Sequence, residues 1–121
     1  MACRSYRDLN VWIRSFDLAV QVYRESRDFP RDEIYGLRSQ LRRAAYSISL
    51  NLAEGHERES TKEFLRFILI ARGSLAETET LLLLSRELGY LTANQVRPLM
   101  LGTDEIGKMI RGLQRSLQRK L

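Results

Sequence analysis

The stretch "SQLRRAAYSISLNLAEGHERES", from Ser39 to Ser60, holds the polar residues best placed to act together. On a helix advancing about 100° per residue, Gly36, Gln40, Arg43, Ser47, Asn51 and Glu54 share one arc. Gly55 is expected to end that helix and to leave His56 in the polar loop "GHERES". Catalysis by a nucleophile needs a base beside it, and His56 is the one histidine in the chain, with no serine or cysteine marked as its partner. Glu54 lies at the wrong spacing for the Glu-x-x-His pairs of di-iron bundles, and no His-Glu-x-x-His zinc motif is present. Gly102, Gly107 and Gly112, five residues apart, spiral around a helix instead of forming a phosphate cradle. Neither enzymatic activity, a metal nor a cofactor is expected.

Packing explains the arc better. It lies between the core face of its helix and a small patch formed by Tyr46 and Leu50. Buried polar groups there need partners from another helix or subunit. Ser74 and Glu77 in "ARGSLAETE" are the candidates, with Arg43 free to pair with a carboxylate on that helix. Arg43, Ser47, Asn51, Glu54, Ser74 and Glu77 therefore read as a polar network that fixes packing and assembly.

A second row is basic. Lys108, Arg111, Arg115 and Arg119 occupy one face of the last helix, opposite Ile106, Ile110, Leu113 and Leu117. Arginines one turn apart can follow a phosphate backbone. The alternative is a solvated face whose cations suit the helix C-terminus. No aromatic residue is interleaved for base stacking. Arg38 and Arg42, which point away from the polar arc, join this row as candidate nucleic-acid contacts.

Four helices must position these residues, at about 6–27, 32–54, 61–88 and 93–119. "SYRD", "STKE" and "TANQ" have capping-box spacing, Pro30 breaks the first pattern, and Gly89 is placed to close the third helix. Asp32 and Glu33 suit the first turn of the second helix, and Pro98 lies early in the fourth. The first helix buries an arc of Leu9, Trp12, Ile13, Phe16, Ala19, Val20 and Tyr23. No stretch alternates at period two. The fold class is all-α, an up-down-up-down four-helix bundle forming a single domain over 1–121.

The 121 residues carry 20 basic and 15 acidic side chains, a formal charge of +5, and 17 of the basic residues are arginine. That balance admits nucleic acid or an acidic partner without demanding either. The single cysteine, Cys3, rules out an internal disulfide and a thiolate zinc site, so an intracellular setting is expected. The N-terminus has no apolar signal region, and "LLLL" at Leu81 to Leu84 is too short to span a bilayer. A cytoplasmic protein without membrane contact is expected.

The helices hold more apolar surface than one bundle uses. Val11, Leu18 and Val22 form a second stripe on the first helix, and Leu65, Leu69, Ala76 and Leu83 form one on the third. With Tyr46 and Leu50, they predict self-association through unlike surfaces, as in a ring.

The segments "LNVW", "FPRDEIYGLRSQLRRAAYSISLNLAEG", "ESTKEFLRFILIARGSLAETETLL" and "LGYL" resemble the four-helix-bundle proteins encoded in intervening sequences of bacterial 23S ribosomal RNA genes. The likeness runs from about Tyr6 to Leu117 and is densest in the second and third helices. It implies a homopentameric ring, no enzymatic activity and a genomic link to ribosomal RNA. A more distant resemblance is to the accessory bundle proteins of diversity-generating retroelements, which bind nucleic acid as basic pentameric barrels. The expected function is a non-catalytic homo-oligomer that binds ribosomal or other structured RNA, or a ribonucleoprotein, through basic surface. The alternative is a structural or protein-interaction module, such as an accessory subunit of a reverse transcriptase, without direct RNA recognition.

Overall fold

Capping side chains mark where three of the four helices begin. The computed structural model describes residues 5–121, so Cys3 lies outside the described residues. Ser5 and Asp8 form the expected capping box, but it closes a 3-10 turn over Tyr6–Asp8. Leu9 is extended, and helix α1 follows as Asn10–Glu25. A second 3-10 turn, Arg31–Glu33, precedes helix α2, Leu37–Glu57. This start is later than the sequence suggests because Glu33 acts from outside the helix. Its Oε1 accepts the Leu37 N–H at 3.0 Å, capping α2 from four residues upstream. Gly36 makes room for this, since a Cβ there would stand 2.6 Å from that oxygen.

Helix α3 is Thr61–Glu87 and helix α4 is Ala93–Gln118. Ser60 accepts the Glu63 N–H at 3.2 Å, while the Glu63 carboxylate turns to Arg66 and leaves that box half formed. Gly89, at φ +80, closes α3 as expected, and the Tyr90 and Leu91 N–H groups both return to the Ser85 carbonyl. Thr92 and Gln95 form a complete capping box for α4.

Each helix packs on its neighbour in sequence, and α4 returns against α1, while the backbones of the diagonal pairs α1–α3 and α2–α4 stay farther apart than those of the adjacent pairs among the described residues. With short connections, this is an up-down-up-down four-helix bundle. The α2–α3 pairing is the most extensive. Leu41, Ile48, Leu52, Ile68, Leu82, Leu99, Ile106 and Ile110 are fully buried in the core of the bundle. Each such side chain contributes about 1.5–3 kcal/mol relative to exposure.

Two expectations are overturned here. The buried face of α1 is Val11, Ser15, Leu18, Ala19 and Val22, whereas Ile13, Phe16 and Tyr23 are 39%, 47% and 43% exposed. Val11, Leu18 and Val22 are therefore core residues and not an oligomer contact. Ser15 conceals this stripe in the sequence. Its hydroxyl donates to the Val11 carbonyl at 2.7 Å, so a polar residue sits in the core fully satisfied. Nor does Gly55 end α2. It lies buried inside the helix, where a Cβ would meet Phe67 Cβ at 2.7 Å and Phe64 Cδ1 at 2.9 Å. Its role is close approach of α2 to α3, and α2 continues for another half-turn to Glu57.

Candidate nucleic-acid interface

The polar arc of α2 is divided by the fold. Ser47 and Ser74 share a hydrogen bond at 2.9 Å across the α2–α3 seam. Asn51 donates to the Ser47 carbonyl at 2.8 Å and to its hydroxyl at 3.0 Å. Thr78 donates to the Ser74 carbonyl at 2.8 Å and extends the chain along α3. This part of the arc is hydrogen-bonded along α2 and α3 and across the seam between them.

Arg43, Glu54 and Glu77 stand apart. All three are exposed and form no hydrogen bond or ion pair among the described residues, so the expected Arg43–carboxylate pairing across the seam is not made. The α2 register turns these long side chains outward while serines and an asparagine of shorter reach fill the seam. His56 also differs from expectation. It lies in the last turn of α2, edge-on to Phe64 at 5.7 Å between ring centres, with Nδ1 buried and without a partner among the described residues.

The basic row of α4 keeps the expected geometry. Lys108, Arg111, Arg115 and Arg119 are all exposed, none is ion-paired among the described residues, and Ile106, Ile110 and Leu117 are buried on the opposite face. The row runs toward the end of the bundle where α1 begins. Arg72 of α3 donates to Gln114 Oε1 at 2.8 Å beside it and holds α3 to α4.

Arg38 and Arg42 behave differently from each other. Arg42 donates from Nε to Ser26 Oγ at 2.8 Å and from Nη2 to the Tyr23 carbonyl at 3.0 Å. Its guanidinium also lies 4.4 Å from the Tyr23 ring centre. Arg42 thus secures the C-terminal end of α1, which its long, planar donor set suits. Desolvation, then the charges of Arg38 and Arg27, lower its pKa below the ordinary value. Arg38 is half-buried and unpaired among the described residues.

Of the remaining apolar candidates, Tyr46, Leu50, Leu69 and Leu83 are exposed, while Leu65 packs against the core. Among the polar ties that sequence reasoning missed, two join distant parts of the fold. Thr103 donates to Glu79 at 2.7 Å between α4 and α3, and Tyr90 donates to Glu33 Oε2 at 3.1 Å. Their signal is weak, because each joins residues far apart in the chain.

The fold and site define a four-helix bundle with an exposed cationic row and, among the described residues, no group of three or more acidic, histidine or cysteine residues that could hold a metal ion. The chain belongs to the family described as 23S rRNA-intervening sequence protein, which it matches over residues 7–112. It is similar in fold to a crystal structure from Bacteroides thetaiotaomicron VPI-5482, described as a protein with unknown function from the S23 ribosomal protein family. The two share 24% identity at a TM-score of 0.79, covering 86% of this chain and 97% of that one. Among curated proteins, none matches the chain. No helix among the described residues is long and apolar enough to cross a membrane.

Proposed function

We propose that this protein is a non-catalytic, cytoplasmic homo-oligomer that binds structured RNA, ribosomal RNA foremost, through the basic face of α4. The carrying observation is that Lys108, Arg111, Arg115 and Arg119 form one exposed row with no acidic partner among the described residues. Such a row can neutralise successive phosphates without reading base identity. The family description, which names 23S rRNA, supports ribosomal RNA as the first ligand to try.

Self-assembly belongs to the same reading. Exposed Phe16, Tyr23 and Tyr46 border a groove between α1 and α2, exposed Leu83 and Leu101 border one between α3 and α4, and Leu50, Leu69 and Leu84 add further exposed apolar surface on α2 and α3. Unlike apolar faces on different sides of one subunit suit a closed ring, and the family resemblance implies five subunits. The test is binding of purified protein to a structured 23S rRNA fragment at low salt. Retention of the RNA supports the proposal. Protein that binds neither RNA nor DNA contradicts it and leaves the interaction-module reading, in which the apolar faces hold a partner such as a nucleic-acid enzyme.

A further inference from the structure

Tyr35, Arg38, Ser39, Arg42, Arg43 and Tyr46 recur at spacings of three and one along the start of α2. Tyr35 stands on the turn before α2, and the other five lie on the outward side of its first turns. With Tyr23 of α1 they line a cleft of about 420 Å³ at the end of the bundle where α1 finishes and α2 begins. The α4 row runs toward the other end. The cleft is large enough for a small ligand.

Its chemistry is unusual for a bundle surface. Tyr35 is 95% exposed and contributes almost nothing to the core, and Tyr23 and Tyr46 are exposed as well. Three guanidinium groups stand among these rings, and no carboxylate lines the cleft. The Glu33 carboxylate, on the turn entering α2, already accepts from Leu37 N–H and Tyr90 hydroxyl. Arg42 is bound to α1 and stacked on Tyr23, so it positions that ring. Arg38 and Arg43 have no hydrogen bond or ion pair among the described residues and remain available to an anion.

We propose that this Arg–Tyr cleft binds a short unpaired stretch of RNA, its phosphates on Arg38 and Arg43 and a base stacked on Tyr35, while Tyr23 and Tyr46 form the wall shared with the apolar α1–α2 groove. Exposed rings alternating with guanidinium groups are what single-stranded recognition requires, because bases in a duplex are already stacked on one another. The inference rests on the RNA-binding reading above but assigns a separate surface and a separate form of RNA. Together the two sites would grip a helix and the loop or end that adjoins it.

The test uses the full-length protein and a fluorescein-labelled, single-stranded RNA of mixed sequence about eight nucleotides long. A hairpin duplex closed by a non-nucleotide linker, and so without unpaired bases, is titrated in parallel, and fluorescence anisotropy is the readout. Tyr35→Ala should weaken single-strand binding about tenfold, while Tyr35→Phe, which keeps the ring, should bind like the native protein. Arg38→Ala combined with Arg43→Ala should weaken it further and flatten its salt dependence. Hairpin binding should be unchanged in all three. Tyr35 is so exposed that its loss should leave the thermal melt unaltered. Failure of the native protein to bind the single strand, or equal affinity of native and Tyr35→Ala protein, overturns the cleft while leaving hairpin binding by α4 intact. Loss of hairpin binding alone would sink the α4 reading and spare the cleft.

Discussion

Gly55 shows most plainly how one residue sets the α2–α3 contact. A methyl group there would fall 2.7 Å from Phe67 Cβ, and the crowding cannot be relieved by a flexible side-chain end. Gly55→Ala should lower stability by about 1–3 kcal/mol in urea unfolding, despite the higher helix propensity of alanine. An unchanged or increased midpoint would show that the helices separate easily at this point. Tyr90 offers a test by pH. Its hydrogen bond to Glu33, followed by desolvation, raises its pKa above the usual 10.0. A raised folded-state value means the neutral phenol is favoured on folding. The contribution is therefore complete below about pH 10 and declines as pH rises through the folded-state value. The stability difference between native and Tyr90→Phe protein should shrink across that window. A constant difference from pH 8 to 11 would contradict the assignment.

At the scale of elements, Glu33 joins two parts of the fold. It caps α2 through Leu37 and receives Tyr90 from the α3–α4 connection. Glu33→Ala removes both bonds, and a loss of about 1–3 kcal/mol in thermal or chemical unfolding is expected. Retained stability would mean that water replaces the carboxylate without penalty. Much of this level was legible in the sequence. "TANQ" and Gly89 mark the α3–α4 turn because capping and positive φ are local chemistry. The α2, α3 and α4 core faces follow from spacing. The α1 face did not, since two apolar arcs competed and the wider, aromatic one looked buried. The core instead takes the narrower arc of Val11, Ser15, Leu18 and Val22, where one hydroxyl bonded to its own helix interrupts the pattern. Of the polar arc, the short residues Ser47, Asn51 and Ser74 meet as their types suggested. Whether the long side chain of Arg43 turns inward or outward depends on neighbours that helical spacing does not specify.

For the whole molecule, the correction on α1 moves the exposed apolar surface without removing it. Phe16 and Tyr23 now stand beside Tyr46 and Ser49 around an apolar groove of about 370 Å³ between α1 and α2. Sedimentation at micromolar concentration should show an oligomer, and Leu50→Glu together with Phe16→Glu should shift it toward monomer while the helical signal persists. Native protein that sediments as a monomer would remove the ring from the account. The central claim, contact between the α4 row and RNA phosphates, is tested most directly by salt dependence. The affinity of native protein for a structured 23S rRNA fragment should fall steeply with ionic strength. Arg111→Ala, Arg115→Ala and Arg119→Ala combined should reduce the slope of log K against log salt by about 3. A triple variant with the native slope and the native affinity would contradict it.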